Sequence, residues 1–405
     1  MGTKDQIHSL DEAIANVNSH CQSLPPDRIP LVQALGRVLR EDVYATEDSP
    51  AFDCSTRDGF AILADDVSEN FRVVDTIHAG NWSPRQLQRG EAVRVATGAP
   101  LPCDNLRVIM QENVQWNDDA MRVVKSEPAL NLRRRGEEVK TGQKLLPSGV
   151  RLDAGRLALL ASAGHSMPLI SPRPYIVHFT TGDEIVPPDQ TPQPGQVLDS
   201  NSILMLGLLH FWKCEVLQMH LPENFSQAKS EMEKRRCDVG GADMILVSGG
   251  ASVGDKDFTK PLLEWLGFKT IFSQVNIRPG KPLIFGVNGL RIAFGLPGNP
   301  LSHFACFHAV VASALAGLAG AMPPVFMRGK LAVALTEPPS SREILWPARL
   351  ELSVEGVRLY PLAWVSSSDI TCLAQANALL RIPVNQGPIS AGSEVGFLLT
   401  GSVGP

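Results

Sequence analysis

The spacing of apolar positions changes period along the chain, and each change marks a new architecture. Near the start, Leu10, Ala13, Ile14 and Val17 recur at helical spacing behind Ser9-Leu10-Asp11-Glu12. That tetrapeptide is a capping box, with Ser9 covering the first turn and Glu12 reaching back. A second helix is expected to follow Pro30 and run to about Arg40, and a third to span 151–164, with Asp153 as N-cap and Gly164 as its stop. Between them, from about residue 48 to 129, the pattern is that of strands at 71–77, 92–97 and 106–114, then a hairpin over 114–124 that turns at Asn117–Asp119. These elements predict a β domain (48–129) inserted into a small helical domain made of 5–47 and 130–172.

From residue 173 short apolar runs at 175–180, 214–220, 243–247, 270–275 and 290–294 alternate with helical stretches near 201–212, 225–237, 258–266 and 300–318. Strand–helix alternation of this kind predicts an α/β domain over 173–325 with a largely parallel sheet. Open α/β sheets bind ligands at the carboxyl ends of their strands. After Pro323-Pro324 the chain returns to strands at 330–335, 345–352, 357–361, 379–382 and 394–399, a separate C-terminal β domain over 326–405. The fold class is therefore multi-domain α/β plus β, and the length of 405 residues fits two to four domains.

Composition narrows the function. The net charge is −5 and aromatic residues are only 6% of the chain, which argues against a basic nucleic-acid surface or a base-stacking platform. Gly 34 and Pro 31 exceed ordinary usage, so turns are abundant. The seven cysteines are scattered with no CxxC pair, and the first residues, MGTKDQIHSLDEA, contain no apolar leader. The longest nearly apolar run, 307–322, carries His308 and many small residues, and reads as a buried helix rather than a membrane span. A cytoplasmic protein with no membrane or nucleic-acid partner is expected.

Four loops of the α/β domain carry candidate chemistry. Thr181-Gly182-Asp183-Glu184 delivers two carboxylates where a strand ends, and Ser248-Gly249-Gly250 begins a glycine-rich turn whose N–H groups can approach an anion. Asp255 and Asp257 follow in that turn and could hold a hard cation. Arg278-Pro279-Gly280-Lys281 offers two cations across a rigid turn. In Leu296-Pro297-Gly298-Asn299-Pro300, Asn299 can cap a helix that begins at Pro300. Each loop alone is ordinary turn chemistry. Four on one sheet edge, mixing carboxylates, cations and free N–H groups, suggest a phosphate- or pyrophosphate-bearing ligand with Mg²⁺. Neither GxxxxGK[ST] nor GxGxxG occurs, which disfavours P-loop and ordinary dinucleotide chemistry. His303, Cys306 and His308 read as a buried helix face rather than a metal site, lacking the HExxH spacing. Arg133-Arg134-Arg135 is a solvated basic run or an anion clamp, and Asp58 could simply cap its Asp-Gly turn.

Taken in order, these motifs resemble the MoeA family of molybdopterin molybdenumtransferases, which also includes the E domain of gephyrin. The resemblance runs from Leu10 to Gly396. It rests on the loops above together with Phe52-Asp53-Cys54-Ser55-Thr56-Arg57-Asp58-Gly59-Phe60-Ala61, Thr97-Gly98-Ala99-Pro100, Arg133–Glu137, Pro279-Gly280-Lys281-Pro282 and Ala376-Asn377-Ala378-Leu379. It implies four domains per subunit, the α/β one MogA-like and the C-terminal one β-barrel-like, in a homodimer with active sites between subunits. It implies transfer of molybdate into adenylated molybdopterin, with AMP released and Mg²⁺ assisting. Tungstate is an alternative oxyanion, and the molybdopterin adenylyltransferase a further candidate partner.

The resemblance also implies site roles. Asp58, Thr97 and Lys281 would be catalytic, and Glu184 and Asp257 would hold the metal. Arg135, Glu138, Ser248, Gly249, Gly250, Asp255, Arg278, Pro297, Asn299, Arg349, Ser367 and Ser368 would bind substrate. The chain departs from the family pattern at Cys54, Thr56, Arg57, Glu138, Glu223-Asn224 and Arg278. The rival reading from another class is a family member that keeps the fold and ligand affinity but acts as a molybdopterin-binding scaffold.

Overall fold

The computed structural model describes residues 6–250, 258–354 and 356–401. Its first helix is Leu10–His20, and the Ser9/Glu12 capping box forms as the sequence predicts, with Leu10, Ala13 and Val17 buried. The expected helix after Pro30 does not form. Only a single 3-10 turn, Leu31–Gln33, is present. Gly36 then adopts φ +76, and Val38 and Leu39 make isolated bridges to Arg151 and Ile170. The apolar side chains of this segment divide between surface and core, with Val32 88% exposed and Leu39 fully buried, so no helical stripe faces one partner. The third helix is trimmed to Ala154–Ser162, and the Asp153 side chain accepts from the Arg156 N–H.

Three short antiparallel pairings bracket the inserted sheet. Asp27–Arg28 pairs with Leu169–Ile170, Val43–Tyr44 with Lys144–Leu146, and Cys54–Ser55 with Leu132–Arg133. Six strands lie between them: Gly59–Leu63, Asn70–Ile77, Glu91–Val95, Leu106–Met110, Val114–Trp116 and Ala120–Val123. The hairpin turn forms where Asn117 Oδ1 accepts from the N–H groups of Asp119 and Ala120. The strand Gly59–Leu63 has no counterpart among the strands predicted from sequence. A Cβ at Gly59 would sit 2.1 Å from the Ile109 carbonyl oxygen, so this close pairing requires glycine.

The α/β sheet runs in spatial order Glu215–Leu221, Tyr175–Thr181, Met244–Ser248, Arg291–Leu296, Ile284–Asn288, Lys269–Phe272. The first four are parallel, and Ile284–Asn288 pairs antiparallel with both of its neighbours, so among the described residues it alone in this sheet runs against the others. Period-2 alternation sorts the central strands between two cores. Ile176, Met244, Leu246 and Phe294 face the helix that begins at Pro300, while Val177, Phe179, Ile245 and Val247 face the opposite layer. The helix Pro300–Ala319 is long and apolar enough to cross a membrane, but 89% of its apolar window is buried in this core. In the C-terminal region Met327–Leu331, Glu343–Ser353, Gly356–Pro361, Ala378–Ile382 and Glu394–Leu399 close into a five-strand barrel, because Glu343–Ser353 pairs with both Gly356–Pro361 and Ala378–Ile382.

Candidate active site

The carboxyl ends of the parallel strands border a cleft of about 620 Å³. Glu184, Ser248, Gly249, Gly250, Pro297, Asn299 and Ser368 all line it, so loops separated by more than a hundred residues converge. Gly249 holds φ +99, and a Cβ there would lie 2.7 Å from Thr181 Oγ1, so two strand ends meet only because this residue is glycine. Asp255 and Asp257 lie outside the described residues.

Asn299 behaves differently from the sequence expectation. It precedes the helix that starts at Pro300 but makes no side-chain cap. Instead its Nδ2 donates to Ser367 Oγ at 2.8 Å, and its Oδ1 accepts from Ser368 Oγ at 3.1 Å. The serines of the 366–368 turn compete successfully for the amide, which ties the cleft to the segment preceding the last two barrel strands.

The other assigned residues do not line this cleft. Asp58 and Thr97 are brought together elsewhere: both are exposed, and the Thr97 N–H donates to Asp58 Oδ1 at 2.8 Å, so Asp58 does not cap its own turn. The basic run is internally neutralised, Arg133 pairing with Glu138, Arg134 with Asp53 and Arg135 with Asp48 at 2.7–2.8 Å. Such exposed pairs contribute little stability and shift readily to another anion. Arg278 pairs with Glu337 at 2.8 Å and lies over the Trp364 ring, while Arg349 pairs with Glu351 at 2.8 Å and lies over Tyr360. Lys281, half-buried, precedes the cleft residue Pro282.

Sequence reasoning did not single out Thr180, Asp199 and Asn201, which also line the cleft. Asp199 accepts from the Ser202 N–H at 2.9 Å and from Ser202 Oγ at 2.6 Å. A signal was present: Asp199-Ser200-Asn201-Ser202 before the apolar run 203–209 is a helix start. Asn201 Nδ2 donates to the Gly298 carbonyl at 2.6 Å, holding that helix start against the Leu296–Pro300 loop. His303 and Cys306 are buried, as the helix-face reading expects, and no group of three metal-binding side chains occurs among the described residues. Burial holds the His303 ring down to about 4, the Pro297 carbonyl opposing in part, and the His178 ring down to about 3. Glu184, Asp199 and Glu223 border the cleft without converging as a three-carboxylate group, and Asp199 is engaged by Ser202. Mg²⁺ takes only one or two carboxylates beside substrate phosphates, a demand that Glu184 fits.

Comparison with known proteins is consistent along the chain. Residues 8–164 match the family model described as MoeA N-terminal region (domain I and II), 178–317 a probable molybdopterin binding domain, and 328–400 the MoeA C-terminal region (domain IV). The chain is 33% identical over 383 residues to the molybdopterin molybdenumtransferase of Nostoc sp., covering 91% of this chain and 87% of that protein. It is 29% identical over 405 residues to the Staphylococcus epidermidis protein of the same name, covering 97% and 96%. Two solved structures of the molybdopterin biosynthesis MoeA protein of Pyrococcus horikoshii align with TM-scores of 0.80 and 0.79, at 29% and 27% identity. They cover 98% and 97% of this chain and 100% of theirs.

Proposed function

This chain belongs to the MoeA family, and from that membership we infer its activity: it is a molybdopterin molybdenumtransferase that inserts molybdenum during molybdenum cofactor biosynthesis. The observation that carries the finer reading is the cleft itself, where Glu184, Ser248, Gly249, Gly250, Asn299 and Ser368 share one wall of strand ends. Adenylated molybdopterin is a polyanion, and such a wall suits its pyrophosphate. The Gly250 N–H and the Ser248 hydroxyl would meet phosphoryl oxygens, the Gly249 N–H being held by the Leu296 carbonyl at 3.1 Å. Lys281, Arg349, Ser367 and Ser368 would hold molybdate, since cations with hydroxyl donors suit a tetrahedral oxyanion. Arg278, Arg135 and Glu138 would exchange their present intramolecular partners for ligand contacts.

Glu184, with Asp257, would hold Mg²⁺, which when bound offsets the charge of the pyrophosphate. The working unit would be a homodimer, because Asp58 and Thr97 stand apart from their own chain's cleft and could serve the cleft of a second copy. The adenylyltransferase that supplies the substrate is the expected partner, in the cytoplasm. The carboxylate of Asp58 would take a proton from a water that attacks the phosphoanhydride, a new P–O bond forming as the bridging P–O bond breaks and AMP leaves.

The test is AMP release from adenylated molybdopterin with Mg²⁺ and molybdate or tungstate. The expected result is oxyanion-dependent AMP release, with Glu184→Ala raising the Mg²⁺ requirement by about tenfold or more. No AMP under any condition would favour the scaffold reading.

A further inference from the structure

One buried polar chain runs behind the cleft wall. His178 and Ser248 sit on neighbouring parallel strands and on the face that meets the helix beginning at Pro300, where an apolar side chain would be expected. Both are buried, as is His303 on that helix. His178 Nε2 lies 2.6 Å from Ser248 Oγ, and His303 Nε2 lies 3.5 Å from the same oxygen. On the far side Gln218, the register partner of His178, places its Nε2 3.0 Å from His178 Nδ1.

The direction of this chain is fixed. Gln218 Nε2 also donates to the Ser202 carbonyl at 2.8 Å, which identifies that end of the amide as nitrogen. His178 Nδ1 is therefore an acceptor. Its ring is neutral in so dry a setting, so its single proton is on Nε2 and is donated to Ser248 Oγ. With that lone pair occupied, the hydroxyl proton of Ser248 has two places to go. One is His303 Nε2, a long contact, and the other is a ligand atom in the cleft that Ser248 lines. His303 Nδ1 is buried with no well-formed hydrogen bond among the described residues, and the Pro297 carbonyl is the polar group that acts on this ring.

We propose that Gln218 and His178 are positioning residues that fix Ser248 as a hydrogen-bond donor toward an anionic oxygen in the cleft, with His303 holding its proton when the cleft is free. The inference rests on the reading that the cleft takes a pyrophosphate. It adds which serine atom faces the anion and which side chains, none of them reaching the ligand, decide that polarity. A donor aimed at a charged oxygen forms one of the stronger hydrogen bonds. A serine whose proton was held inward would instead present lone pairs and repel it.

The experiment is a double-mutant cycle read by titration calorimetry, with inorganic pyrophosphate as the probe and the full chain throughout. Ser248→Ala is expected to weaken pyrophosphate about tenfold. His178→Phe is expected to weaken it by a similar factor, and the double variant by no more than Ser248→Ala alone, because His178 acts through that hydroxyl. Gln218→Met retains both ring and hydroxyl and is expected to weaken binding several-fold, again only when Ser248 is present. It keeps the test decisive should His178→Phe fail to fold. If His178→Phe or Gln218→Met weakens pyrophosphate as much in the Ser248→Ala background as in the wild type, or if the wild-type chain does not bind pyrophosphate, the relay is overturned. AMP release by the wild-type protein reads the substrate assignment separately. Turnover with an additive cycle overturns the relay alone, whereas absent turnover overturns the reading beneath it.

Discussion

Asp58→Asn is expected to abolish molybdenum insertion, lowering AMP release by a factor on the order of 10²–10⁴ while leaving the fold and pterin binding intact. The substitution isolates charge from geometry. Asp58 is exposed, and among the described residues its side chain is held through Oδ1, which accepts from the Thr97 N–H at 2.8 Å. Asparagine keeps an oxygen at that position, so the turn before Gly59 survives and only the negative charge and proton-accepting capacity disappear. Asp58→Ala would also remove the tie to Thr97, at a cost of about 1 kcal/mol. Single-turnover AMP release is the measurement, with thermal unfolding as the control. An Asp58→Asn protein that turns over normally removes the assigned role.

Acidification is expected to produce the largest change in stability. His178, His303 and His308 are held at about 3, about 4 and about 3, from an ordinary 6.5, in each case chiefly because burial disfavours the charged ring. The unfolded chain takes up a proton at each site near pH 6.5 and the native chain does not. Their contribution is therefore fully present above pH 6.5 and is lost progressively as the pH falls from 6.5 toward 3–4. At pH 5 each ring accounts for roughly 2 kcal/mol of lost stability, and three together approach the whole stability of a typical domain. Urea unfolding midpoints at pH 7.5 and pH 5 should fall steeply. His308→Leu, which replaces a ring packed between Phe304 and Phe307, should remove about a third of that pH dependence. An unchanged slope in the variant would show that the acid sensitivity lies elsewhere.

Much of the architecture could be read from apolar spacing because it is local. The Ser9/Glu12 box, the Asp153 cap, the Asn117 turn and the alternation of strands and helices after residue 173 each depend on side chains within a few positions of one another. The failed helix after Pro30 shows the limit of that reading. Its residues have helix-compatible identities, but Val38 and Leu39 are taken by Arg151 and Ile170, partners more than a hundred positions away. The antiparallel strand Ile284–Asn288 was missed for a related reason. Its five residues are too short to announce a direction, and only pairing on both sides makes them a strand.

The same division holds at the site. The sequence by itself determined the family, the turn chemistry of the strand-end loops and seven residues of the cleft wall, since ordered motifs of Gly, Pro, Asp and Ser are informative at short range. It named Asn299 but not its use, because a cap competes with two hydroxyls that lie 68 and 69 positions further on. It saw His303 as part of a buried face and took no notice of His178 within an apolar run. Only the tertiary structure brought those rings to one serine, because strand register and helix packing place atoms that no spacing along the chain relates.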